Sequence, residues 1–260
     1  KLPRTKAIVR VFSFLITVLS ISYLSMVFNC KNFALDILTK VDCLIAFILL
    51  YSEGVNVKQW LIDRFNWPKS KKPILVGLFL VTMPVVFAAI GHRLLVGQFP
   101  VIEQMPFSGH VFGYFLMNLF LVVFEDISWR AFLLPRVLFF FFFFISIVAI
   151  GFLWGAWHIP FHLNLNLIAP DQMMTQILYY TCVFLIYYVV WTLSEGSIIP
   201  LIITHAFYNT LGHFTVENIL FLEGYSDGWS FYYFQTIALG IFACVAAMYL
   251  KHSKKNFHLD

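Results

Sequence analysis

The chain has 260 residues, of which 61% are apolar and 19% aromatic, while only 12% carry a charge, against roughly a quarter in an ordinary soluble domain. With 17 basic and 13 acidic side chains set against 31 phenylalanines, a water-soluble fold is excluded. A formal charge of +4 is too small to point to nucleic acid, and the basic residues sit mostly between apolar runs, where they report topology.

Apolar segments bounded by charges, Pro and Gly fall at 8–28, 38–52, 73–92, 110–136, 138–158, 173–194, 197–213 and 230–250. Most approach the roughly 20 residues that a bilayer-crossing helix needs. They predict an all-α polytopic membrane protein of about eight transmembrane helices, a conical or bundle-like core around an intramembrane polar site, formed by a single integral membrane domain over 1–260. The first segment is too long for a signal peptide and lacks a small-residue cleavage site, so it reads as a retained helix. The second is the weakest, because Asp36, Lys40 and Asp42 interrupt its start, and seven spans remain if it lies flat on the surface.

Eight spans with a cytoplasmic N-terminus leave only Lys31, Lys40 and Arg93 of the 17 basic residues on the outer side, so both termini are placed inside. The 214–229 loop, with Glu217, Glu223 and Asp227 and no Lys or Arg, fits an outer loop. Phe139–Phe144 reads as a lipid-facing or packed helix start. Gly151 and Gly155 form a G-x-x-x-G on the fifth segment, where another backbone can approach closely. The cysteines at 30, 43, 182 and 244 share no C-x-x-C spacing and read as small packing residues. No internal repeat or interdomain linker stands out.

Ionisable side chains at helix centres cost about 2.5–3.5 kcal/mol each on insertion scales, which makes them functional candidates. Three groups qualify. The run V-F-E-D-I-S-W-R-A-F-L-L-P-R places Glu125, Asp126 and Arg130 in one apolar stretch; F-L-W-G-A-W-H-I-P ends the fifth segment at His158; I-P-L-I-I-T-H-A-F-Y-N sets His205 and Asn209 one turn apart in the seventh. Asp126 and Arg130, four apart, share a helix face and form the expected ion pair. Glu125 points about 100° away, so the same Arg neutralises it less completely and leaves it suited to general-base work. His213 continues the stripe of His205 and Asn209. His158 precedes Ile159-Pro160 and is placed at a helix end or kink, and the proline is expected to break any face shared with His162, which reads as interfacial.

Helix rise sets Glu125 about 18 Å, His158 about 25 Å and His205 about 12 Å from one face of the membrane, so with tilt the three groups can meet near mid-depth. A carboxylate, two imidazoles and an amide meeting there make a hydrolytic site. The carboxylate takes a proton from water, the imidazoles bind a metal or polarise the water, and the amide donates to the oxyanion.

In order, E-D-I-S-W-R at 125–130, W-G-A-W-H at 154–158 and H-A-F-Y-N at 205–209 resemble E-E-x-x-x-R, F-x-x-x-H and H-x-x-x-N. Those motifs belong to the CPBP family, the CAAX prenyl protease and bacteriocin-processing (Abi) group of intramembrane proteases. A-F-L-L-P-R at 131–136 is similar to the family's usual continuation. Asp126 stands where the family has a second Glu, which shortens its reach, and Trp154 stands for Phe, which keeps an aromatic wall.

The resemblance implies an intramembrane endopeptidase with a catalytic core over 110–213, acting on a peptide or protein tethered at the lipid bilayer. Glu125 would activate water with help from His158, His205 and Asn209 would hold the oxyanion, and Asp126 and Arg130 would order Glu125. A zinc ion, if one is bound, would take His158, His205 and a carboxylate, although H-E-x-x-H is absent. The alternative is a non-proteolytic member acting in bacteriocin self-immunity or as a membrane scaffold. A proton-coupled transporter would show paired, interrupted halves, and none are seen.

Overall fold

The computed structural model describes residues 4–27, 34–67, 71–96, 109–140, 143–164, 170–212 and 228–252; Cys30, His213 and the acidic loop at 214–227 lie outside them. Among the described residues there are only helices and short connections. Helix α1 spans Arg4–Val27, α2 Ala34–Ser52, α3 Val57–Arg64 and α4 Lys72–Val96. Helix α5, Gly109–Asp126, runs into a π-helical turn, Ile127–Leu133, and on into α6, Leu134–Phe140. Then follow α7, Phe143–Asn164; α8, Met173–Leu193; α9, Ile199–Gly212; and α10, Gly228–His252.

The chain is an all-α membrane protein. Five described stretches are long and apolar enough to cross a bilayer: Thr5–Val27, Lys72–Leu95, His110–Phe140, Phe144–Asn164 and Pro170–Leu193. The expectation of about eight spans is therefore met only in part. Helix α2 carries Asp36, Lys40 and Asp42, α9 has just 14 residues, and α10 offers the shorter apolar stretch Gln235–Ala246. Helices α8 and α9 lie inside the bundle. From Val183 to Thr192 every α8 residue is buried, and α9 sits between α5, α4 and α8. Large apolar side chains such as Ile16, Leu94, Phe112 and Ile241 point outward, as lipid-facing residues do.

At one end of the bundle Glu53 receives Arg136 Nη2 at 2.6 Å and Arg10 Nη1 at 3.4 Å, and Arg10 also donates to the Ser52 carbonyl. Basic residues that charge bias assigns to one side of the membrane thus meet at one end of the protein. Beside them the Ile198 N–H donates to the Arg64 carbonyl and Ser197 Oγ to that of Asn66, which fixes the turn before α9.

The glycine pair of α7 lies where close approach was expected. A Cβ on Gly155 would stand 2.9 Å from the Ile177 carbonyl oxygen and 3.0 Å from Ile177 Cα on α8, so only glycine lets the two backbones touch. Gly155→Ala is expected to cost about 1–3 kcal/mol by overpacking, more than alanine recovers in helix propensity. The melting temperature in detergent should fall, whereas Gly113→Ala, whose Cβ would meet nothing within 4 Å, should leave it unchanged or raise it.

Candidate active site

The site is built where the α5–α6 stretch meets α7 and α9. An ordinary α-helix would separate residues five apart by about 140°. The π-helical turn, closed by bonds from residue i to i+5 such as Leu134 N–H to the Trp129 carbonyl, carries Arg130 back over Glu125. Ser128 Oγ donates to the Phe124 and Glu125 carbonyls at 2.9 and 3.0 Å, and so partners carbonyls at the start of the wider turn. Pro135, which has no N–H to give, sits in the first turn of α6, where the regular ladder resumes.

Both carboxylates therefore reach one guanidinium. Arg130 Nη1 lies 3.0 Å from Glu125 Oε1 and 3.2 Å from Asp126 Oδ1, with Arg130 and Asp126 fully buried. The sequence placed Glu125 away from this cation. The π-helical turn, which a uniform 3.6-residue period cannot anticipate, brings it at least as close as Asp126. The guanidinium also lies over the rings of Trp154, Phe184 and Tyr187, 4.1, 4.9 and 5.1 Å from their centroids. These faces add cation–π attraction around a charge withdrawn from water.

Trp154, on α7, donates its indole N–H to Glu125 Oε1 at 2.7 Å. It is more than an aromatic wall. The side-chain hydrogen bonds that Arg130 and Trp154 give the Glu125 carboxylate both reach Oε1. The His158 Nδ1 lies 2.8 Å from the Trp154 carbonyl, which can only accept, so Nδ1 carries the proton and Nε2 presents a lone pair. The His158 ring stacks on Tyr180 at 4.1 Å. Helix α7 does not end at His158. It runs through Pro160 to Asn164, and the His158 and His162 rings stay 6.3 Å apart on one side, with His162 Nε2 2.6 Å from the Tyr180 hydroxyl. Packing against α8 holds the helix past the donor that proline removes.

His205, on α9, sets Nδ1 3.3 Å from both oxygens of Asp126, while its Nε2 lies 3.9 Å from Glu125 Oε1. Asp126 therefore orients His205 and shares Arg130 with Glu125, and its shorter side chain reaches both partners. Asn209 is placed differently from the other candidates. It is exposed, one turn beyond buried His205 and close to the end of α9. The buried face of α9 carries instead Tyr208, whose hydroxyl contacts that of Tyr179 and accepts from Gln235, and Thr210, which accepts from Asn118. Sequence reading missed this α5–α8–α9–α10 polar layer, although polar residues inside apolar segments were its visible signal.

The donor set does not fit a metal. Among the described residues no group of three His, Cys, Asp or Glu side chains is placed to hold a metal ion as a zinc site requires.

Residues 107–211 match the family model Rce1-like, described as type II CAAX prenyl endopeptidase Rce1-like. No curated protein is similar enough to the chain to match it. The matched segment spans every side chain placed in the site, from Glu125 to Asn209, and over that stretch the chain is similar to type II CAAX prenyl endopeptidases, in support of the family likeness its motifs carry.

Proposed function

We propose that the protein is an intramembrane endopeptidase that hydrolyses a peptide bond of a membrane-tethered peptide with a water activated by Glu125. The observation that carries the reading is the asymmetry of that carboxylate. Arg130 and Trp154 hold Oε1, and Oε2 is the oxygen that accepts the water proton. His158 Nε2, with its lone pair, accepts from the same water and helps aim it. As the oxygen–carbon bond forms, the carbonyl electrons move onto oxygen. The His205 ring, held by Asp126, lies beside that oxyanion, and Asn209 donates its amide N–H to it from the exposed side. Collapse breaks the carbon–nitrogen bond, and the proton on Glu125 passes to the leaving amine. The catalytic core is 110–213, and the end carrying Arg10, Glu53 and Arg136 is cytoplasmic, in keeping with the charge bias of the loops.

The test is cleavage by the purified, detergent-solubilised protein of a panel of prenylated and unmodified membrane peptides, with and without a chelator. Cleavage confined to prenylated C-termini would identify a CAAX-type substrate, and cleavage of leader or membrane-protein segments a different one. A protein that cleaves none of them loses the proteolytic reading in favour of immunity or scaffolding.

Asp126→Asn probes the second carboxylate. The amide keeps the shape but removes the anion that orients the His205 ring through Nδ1, so kcat is expected to fall by about 10²–10⁴-fold with KM nearly unchanged. An unchanged kcat would remove His205 from the reaction.

A further inference from the structure

We infer that Trp154 is a positioning residue for the reaction, its indole N–H locking the Glu125 carboxylate so that Oε2 alone meets the water. The inference rests on the proposed proteolytic role of Glu125.

The indole bond, at 2.7 Å, is shorter than the 3.0 Å contact from Arg130 to the same oxygen, and Trp154 is 1% exposed. One oxygen held by two donors from two helices cannot turn without breaking both bonds, so the direction of the other is fixed. Trp154 also lies against each remaining part of the constellation. Its ring is 4.1 Å from the Arg130 guanidinium, its carbonyl accepts from His158 Nδ1, and its ring centroid is 4.8 Å from that of His158 and 6.0 Å from that of His205. Phenylalanine, which the F-x-x-x-H pattern has here, could supply the face under the guanidinium but no donor. The tryptophan of this chain thus adds a hydrogen bond to a charged acceptor, the stronger kind. It also ties the general base to the helix that carries His158.

The experiment compares the wild-type protein, W154F and a form in which Trp154 is replaced by benzothienylalanine, whose sulfur removes the N–H at nearly unchanged volume. Both replacements are expected to lower kcat by about 10–100-fold, the scale for a misplaced catalytic group, with KM within about twofold. In protein labelled with ¹⁵N-indole, the cross-peak absent from W154F should move in Glu125→Gln, because a neutral amide is a weaker acceptor than a carboxylate. This readout needs no turnover, and the benzothienyl form keeps the test valid should W154F fold poorly. A wild-type protein that cleaves nothing overturns the parent reading. An active wild-type protein whose benzothienyl form keeps full kcat, or whose indole resonance ignores Glu125→Gln, overturns this inference alone.

Discussion

Glu125→Gln is expected to reduce peptide cleavage by at least about 10²–10⁴-fold, the usual contribution of a positioned general base, while the protein still folds and inserts. The substitution preserves side-chain length, and its amide oxygen can still accept from Trp154 and Arg130, so the packing of α5 against α7 and α9 is kept. Arg130 retains Asp126 at 3.2 Å, so its charge is not stranded. What is lost is the capacity to take a proton from water and return it to the leaving amine. Turnover of the cleaved peptide, measured beside a thermal melt in the same detergent, separates the two. Undiminished cleavage would remove Glu125 from its role. A non-proteolytic immunity or scaffold function would be indifferent to the exchange, so the same variant assayed for protection distinguishes that alternative.

The membrane class and the identity of the polar groups were legible because the bilayer makes each ionisable residue in an apolar stretch conspicuous. Glu125, Asp126, Arg130, His158 and His205 needed no more than that, and helix rise sufficed to bring them to similar depth. The Asp126–Arg130 pair was legible from its spacing of four, but the other mutual contacts were not, for reasons of backbone geometry. A period of 3.6 assigns Arg130 to Asp126 and turns Glu125 away, whereas the π-helical turn at 127–133 gives Arg130 both carboxylates. Pro160 reads locally as a breaker, yet α7 continues because burial against α8 outweighs one missing donor. Asn209 shares a helix face with His205 on paper, but four residues advance that face by about 40°, enough at the edge of α9 to leave the amide exposed. The indole donor of Trp154 was hidden because composition counts tryptophan as apolar bulk. Its N–H becomes visible only when its acceptor on another helix is known.

Arg130→Met is expected to be the most destabilising substitution in the protein. It leaves Glu125 and Asp126 buried with no cation between them, and removing one partner from a buried ion pair typically costs about 3–5 kcal/mol. Here two carboxylates lose the same partner, and Trp154, Phe184 and Tyr187 lose the charge that their faces surround. The expected outcome is a low yield of folded protein and a melting temperature well below that of the wild type. Arg130→Lys should fall between the two, since an ammonium keeps the charge but lacks the planar fork and the stacking surface. Because Glu125 and Asp126 are the cause of the instability, neutralising them should relieve it. The triple variant Arg130→Met, Glu125→Gln, Asp126→Asn should recover much of the lost stability while remaining inactive. That recovery would assign Arg130 to holding two negative charges inside the membrane. A single Arg130→Met protein as stable as the wild type would show instead that the carboxylates need no such partner, and the electrostatic account of the site would fall.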